Sequence, residues 1–255
     1  MEKNAAVPGT AAFQKFMRAL QVVSDQPHQL TIGTLAKTLA LPRPTTHRIV
    51  EALLAEGMLV SDHLDRLGLG PRFVALAWRS LETSDIRAVA QPWLTQLRDA
   101  LDETVHLAVR NGLEMVYIDK LEAHRTVRMA SRVGTRVSLY SSSVGKAWLA
   151  AQPADALDGW LEQLELKPFT QHTRITRDAI HTEIDVTRQR GYAIDDQENE
   201  LDICCYGSAI LDPRGGAVAG CISVSMPTYR FVEKDQVATL ALIQNCVSQI
   251  QQRLI

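Results

Sequence analysis

Apolar side chains recur every three or four positions over 11–24, where Phe13, Phe16, Met17, Leu20 and Val23 would share one face of a helix. Asp25-Gln26-Pro27 reads as a turn, and Thr31 is placed to cap a short helix running to about Leu39. Ala40-Leu41 leaves room only for a tight turn. Pro42 and Pro44 suit the opening of a third helix, where a missing N–H costs nothing, and Gly57 stops that helix after about Glu56. Residues 58–61 and 66–69, separated by the polar 63–65, read as a small hairpin. Helix, helix, tight turn, helix, hairpin is the order of a winged helix-turn-helix.

From Pro71 to about Leu101 the period is helical again, broken near Ser84 and interrupted by Pro92. Phe73, Val74, Leu76, Ala77, Trp78 and Leu81 are apolar over more than one face, which fits either a linker helix packed on another chain or a helix buried within its own domain. Beyond 102 the pattern alternates. Residues 104–109 and 115–118 are joined by Asn111-Gly112, a hairpin signal, and 126–130 and 137–139 add candidate strands. Helices are expected over 144–151, 154–164 and 177–190, strands over 204–211 and 217–226, and a closing helix over 233–254. Strands, then helices, then a hairpin and a last helix predict an α+β domain with one antiparallel sheet. The organisation expected is thus 1–70, a helical linker over 71–101, and a second domain over 102–255.

Composition changes this picture little. An apolar share of 46% and a charged share of 22% exclude disorder, collagen and coiled coil. No apolar run is long enough to cross a membrane, and the N-terminus lacks a secretory signal. Cys204, Cys205, Cys221 and Cys246 have no metal-type spacing and read as reduced thiols of a cytoplasmic protein. Charge is more informative locally than globally. The formal net charge is −2, yet no acid occurs between Asp25 and Glu51, where Lys37, Arg43 and Arg48 stand beside His28 and His47. On the third helix Ile49, Val50, Leu53 and Leu54 form an apolar arc of about 140°. Thr46 falls inside that arc, while Pro44, Thr45 and Arg48 face outward, with His47 at the edge. Recognition helices read bases with their N-terminal residues, and a helix start favours phosphate. Lys37, Arg43, Pro44, Thr45, Thr46, His47 and Arg48 are therefore the candidate DNA contacts, the alternative being a three-helix bundle with a solvated basic face.

The second half carries a different candidate site. Cys221, Ser223 and Ser225 share one face of the last strand, and Cys205, Gly207 and Ala209 share one face of its neighbour. Small residues opposite small residues leave either a pocket with hydroxyl donors or a tight sheet-helix contact. Ser143 and Val144 open a helix, so their N–H groups suit an anion. Enzyme motifs fail on inspection. Ser143 to Lys146 has the S-x-x-K spacing without S-D-N or K-T-G, and Gly145-Lys146 is followed by Ala147 where a phosphate loop needs Ser or Thr. Nothing places Cys205 beside His106 or His172, and His106 in an alternating strand reads as a core or pocket histidine. Neither H-E-x-x-H nor paired C-x-x-C occurs, so no metal and no cofactor are expected.

The stretch Leu41-Pro42-Arg43-Pro44-Thr45-Thr46-His47-Arg48-Ile49-Val50 resembles the helix-turn-helix of the IclR family of bacterial transcription regulators, whose pattern is about L-P-K-S-T-x-H-R. Pro44 stands where that family usually has Ser. Leu139-Tyr140-Ser141-Ser142-Ser143-Val144-Gly145-Lys146 and Gly191-Tyr192-Ala193-Ile194-Asp195-Asp196-Gln197-Glu198-Asn199-Glu200 extend the resemblance over nearly the whole chain. It implies a winged helix-turn-helix, a helical linker and a GAF-like effector domain. It also implies a ligand-responsive regulator, in most members a repressor, and not an enzyme. By the same resemblance Ser143 and Val144 would give amides to an effector carboxylate, and Asp195, Cys205, Ser223 and Ser225 would line its pocket. Asp202 replaces a usual Gly and Cys204 a usual Arg. Glu103 to Leu107, Met115 to Lys120 and Met226 to Phe231 resemble the branch that controls pectin and hexuronate breakdown, which implies a 2-keto-3-deoxy sugar acid or another 2-oxo acid as effector. The expected partners are double-stranded DNA with a pseudo-palindromic operator, the small acid, and a second copy in a homodimer or tetramer, with no membrane. Other classes remain open at this point: a sugar-acid enzyme with an accessory helix-turn-helix, or an architectural DNA binder without effector.

Overall fold

A computed structural model describes residues 9–82, 85–126 and 129–254, of which 78, 80–82 and 85 are described by backbone alone. They form two compact units that divide between 83 and 84.

The first unit holds α1 (Ala11–Asp25), α2 (Ile32–Leu39), α3 (Arg43–Ala55), a two-stranded wing of β1 (Leu59–Ser61) and β2 (Leu67–Leu69), and α4 (Pro71–Glu82). Thr31 caps α2 as its sequence position requires, and Thr34 returns the bond to complete a capping box. The turn into α3 is made by Ala40 in the left-handed region, φ 53°, and Pro44 lies in the first turn of α3. Leu20, Val23, Leu35, Leu39, Ile49, Val50, Leu53, Leu59 and Leu67 close the core. Phe16 of the α1 apolar face packs against it, whereas Phe13 and Met17 are exposed.

The second unit begins with α5 (Asp85–Leu101), so the expected linker over 71–101 divides in two. Phe73 of α4 packs on the helix-turn-helix core, whereas Ile86, Ala90, Leu94, Leu97 and Leu101 of α5 are core residues of the second unit. On α4, Val74 and Leu76 are exposed, and the side chains at 78 and 81 lie outside those described.

A six-stranded antiparallel sheet follows, made of β3 (Thr104–Asn111), β4 (Glu114–Leu121), β5 (Arg136–Ser138), β6 (Ala193–Asp196), β7 (Ile203–Leu211) and β8 (Val218–Pro227), in the order β5-β4-β3-β8-β7-β6. Gly112 turns the first hairpin at φ 62°. Of the expected strand over 126–130, the positions 127–128 fall outside the described residues and the described flanks are not strand. Alternation divides the sheet into two chemistries. Val105, Leu107, Ile222, Val224 and Met226 face α5 and α10 (Gln236–Gln251). The opposite face carries His106, Ala108, Cys221 and Ser223 under α6 (Ser143–Ala150), α7 (Leu157–Gln163) and α8 (Arg177–Arg190). Among the described residues no helix is long and apolar enough to cross a membrane.

A short helix α9 (Thr228–Glu233) is pinned by charge. Arg230 donates from Nε and Nη2 to the two oxygens of Glu103, both at 2.8 Å, with Glu103 fully buried and Lys234 3.7 Å away. Replacing the guanidinium by an apolar chain leaves a buried carboxylate short of its partner. Arg230→Met should therefore lower unfolding free energy by about 3 kcal/mol in a urea titration. An unchanged midpoint would show that the pair does not hold α9.

Candidate DNA-binding face and ligand cavity

The first turn of α3 carries no side-chain cap and no acid, so its N–H groups and cations point to the same side. Lys37, Arg43, Pro44 and Arg48 are exposed and Thr45 is half-buried. Arg43 folds over α2 at Gly33, where an added Cβ would lie 2.8 Å from its Nη2. His47 is exposed but faces Glu51 one turn on, Nδ1 to Oε2 3.2 Å. Thr46 corrects the expectation. It is fully buried and its hydroxyl donates to the Pro42 carbonyl at 3.3 Å, as its place inside the apolar arc requires, so it has no atom to offer a duplex.

In the second unit α6 lies directly on the sheet. A Cβ at Gly207 would meet the Ser143 carbonyl oxygen at 2.4 Å, and one at Gly145 the Ser138 carbonyl oxygen at 2.3 Å. The tight sheet-helix contact is thus real at this row of β7. One register step away, where Cys205 pairs with Ser225 and with Asp195, the layers part and leave a cavity of about 280 Å³. Ser142 and Ser143 enter it from α6, Cys205 and Ser225 from the sheet, His106 and Tyr117 from β3 and β4, and Asp195, Asn199 and Glu200 from β6 and the loop beyond. Ser131, Met129 and Thr135 also line it.

The wall is rich in donors, and among the described residues it carries no Lys or Arg. His106 stacks on Tyr117 with ring centroids 4.3 Å apart. Its Nε2 is 2.8 Å from Ser131 Oγ, and its Nδ1 is 3.3 Å from Ser223 Oγ and 3.4 Å from Ser225 Oγ. Burial, with help from the Lys120 charge, pushes His106 down to about 3, so the ring is neutral. Burial acts the other way on acids: it holds Cys205 well above the usual thiol range and lifts Asp195 to about 7, against the pull of Lys146. Lys146 itself is fully buried and bonded to Glu198, with Glu183, Arg174 and Arg190 completing an ionic ring behind the wall.

Residues 12–63 match the family profile described as "IclR helix-turn-helix domain", and residues 78–252 the one described as "Bacterial transcriptional regulator IclR C-terminal". The chain belongs to the IclR family. Its relatives are transcriptional regulators, and the enzyme reading falls with that. Over 252 residues it is 30% identical to the HTH-type transcriptional repressor AllR of Escherichia coli strain K12, covering 98% of this chain and 92% of that protein. The crystal structure of Thermotoga maritima IclR aligns with a TM-score of 0.77 at 28% identity, over 95% of this chain and 98% of that one. The C-terminal domain of Escherichia coli KdgR aligns with a TM-score of 0.60 at 29% identity, over 67% of this chain and 98% of that one. AllR and KdgR stand at nearly equal identity, so the resemblance to the pectin and hexuronate branch narrows to membership of the IclR family as a whole.

For this IclR-family chain the residues expected around an effector are only partly brought together. Ser143, Asp195, Cys205 and Ser225 line the cavity; Val144 points into the helix-side core, and Ser223 stands behind His106. Asp202, at the family's usual Gly, adopts φ 65°, a left-handed conformation that a small polar residue tolerates. Sequence reasoning missed Glu200, Asn199, Ser131 and Thr135 on the wall, which come from loops without periodicity, and the partners of Lys146. A lysine in the apolar helix of residues 143–150 was the available signal, since a charge there needs a buried partner.

The two shifted wall groups act oppositely on stability. The unfolded chain protonates His106 near 6.5 and the folded chain near 3, so this group withdraws stability as pH falls through that window. Asp195 holds its proton up to about 7 when folded but only to 3.8 when unfolded, so it adds stability as pH falls between those values. Asp195→Asn removes the second slope alone. On acidification from about pH 6.5 to 4, its unfolding free energy should fall more steeply than the wild type's by about 1.4 kcal/mol per pH unit. Parallel urea-derived profiles would contradict the Asp195 assignment.

Proposed function

We propose that this chain is a repressor that binds a pseudo-palindromic operator as a homodimer through the start of α3, and that a small carboxylate in the second unit's cavity sets its operator affinity. A 2-oxo acid or 2-keto-3-deoxy sugar acid is the effector class. The observation that carries the reading is the convergence of the first turn of α6 with the hydroxyls of Ser131, Ser143 and Ser225 on one cavity. Neutral donors and unpaired helix-start amides hold a single carboxylate without a cation. The name of the relative AllR supports repression.

On the DNA side Lys37, Arg43 and Arg48 supply charge and Thr45 a hydroxyl. Pro44 offers an apolar contact, and His47 reaches the duplex only by leaving Glu51. Thr46 is omitted from the contact set. One recognition helix reaches too few bases for specific affinity, so two copies related by a twofold axis are required.

Arg48 is exposed, and no hydrogen bond or ion pair among the described residues holds its guanidinium. Arg48→Ala should weaken operator binding by about 1–3 kcal/mol at fixed salt while leaving the melting transition unchanged. Wild-type affinity in an anisotropy titration would remove Arg48 from the interface. The double variant Ser223→Ala and Ser225→Ala should keep operator affinity and lose the response to acid, a coupling of about 1–3 kcal/mol in regulators of this type. If release from the operator survives in that variant, the acid acts elsewhere.

A further inference from the structure

We propose that an anionic effector entering the cavity takes up one proton at Asp195, so that its affinity falls as pH rises through neutrality. This rests on the ligand-binding reading above and adds a coupling between effector and proton. The footing is geometric. Asp195 is 4% exposed and forms part of the cavity wall. Its Oδ1 accepts two backbone N–H groups, from Glu198 at 2.8 Å and Asn199 at 3.2 Å, while no donor among the described residues takes Oδ2. A ligand carboxylate held at the start of α6 would share a space of about 280 Å³ with this oxygen. Two carboxylates in one poorly solvated site cannot both stay ionised cheaply. One proton between them turns repulsion into a hydrogen bond, with Oδ2 donating to the ligand.

Among the described residues no other cation is free to neutralise Asp195: Lys120 from β4 is bonded to Glu122 and to the Met129 and Ser131 carbonyls. From α6, Lys146 favours the Asp195 anion, but its Nζ is committed to Glu198 and lies 3.7 Å from Glu183. Arg174 serves the same two glutamates, and Arg190 serves Glu183. From the loop after β6, Glu198 opposes the anion, and Glu200 adds a second carboxylate to the wall. From β7, Cys204 and Cys205 are held protonated by burial, as is Tyr117 from β4, and His106 from β3 is held neutral. Burial already lifts Asp195 to about 7, and a nearby ligand charge lifts it further.

The test is isothermal titration of the full-length protein with pyruvate and with 2-keto-3-deoxygluconate, each in two buffers of different ionisation enthalpy. Affinity should be level below about pH 7 and weaken about tenfold per pH unit above it, with proton uptake approaching one per ligand. In Asp195→Asn, shown folded by its melting transition, the slope and the buffer dependence should vanish. A wild-type affinity independent of pH, or proton uptake that persists undiminished in the variant, overturns the proposal. Should the variant bind neither acid, the wild-type pH slope and proton count decide alone. If neither acid binds the wild type at any pH, the effector reading fails first and this one with it, an outcome distinct from binding without proton uptake.

Discussion

The absence of a side chain at position 207 lets the first turn of α6 rest on β7, where any Cβ would strike the Ser143 backbone. That contact fixes the height of the helix start above the sheet. Where β7 and β8 next present Cys205 and Ser225, the helix has already been set down, and the small side chains there cannot fill the gap. The cavity is thus a consequence of one close approach and of the alternation of β7 and β8. Gly145 repeats the device on the other side of the helix, against Ser138 and Leu139.

The charge arrangement follows from the same geometry. A helix set this deep buries Lys146 completely, and a buried ammonium persists only with carboxylates around it. Glu198 and Glu183 supply them, and among the described residues Glu198 Oε2 has no hydrogen-bond partner. Strand β6 delivers Asp195 to the wall and the loop after it delivers Glu198 and Asn199, joined by the N–H groups that Asp195 accepts. Among the described residues the cations therefore stay behind the cavity and neutral donors in front. On the proposed reading such a wall favours a single negative charge over two, because one proton at Asp195 offsets only one.

Much of this was legible in residues taken a few at a time. Thr31, Pro42 and Pro44 marked the helix starts, and the Asn111-Gly112 pair marked the first hairpin, because caps and turns are local chemistry. The small-residue faces of β7 and β8 were also readable, since alternation fixes which side chains share a face. Those faces hold a close contact at Gly207 and a cavity at Cys205. What escaped was set by tertiary geometry. Strand β6 is four residues long and has too few positions to show a period. The wall residues Ser131, Thr135, Asn199 and Glu200 come from loops, and the burial of Lys146 depends on segments 37 or more positions away in sequence. Thr46 is the converse case, a polar residue whose place in the apolar arc was visible and outweighed its chemistry.

The central claim is that a small acid is held at the start of α6, in the cavity that Gly207 makes possible. Backbone amide shifts followed by heteronuclear NMR during titration with pyruvate or 2-keto-3-deoxygluconate test it most directly. The account predicts saturable shifts of the Ser143, Val144 and Asn199 amides at one common dissociation constant, with the α3 amides not following as direct contacts. Saturation accompanied by still amides at 143 and 144, with the largest shifts on another surface, would contradict it.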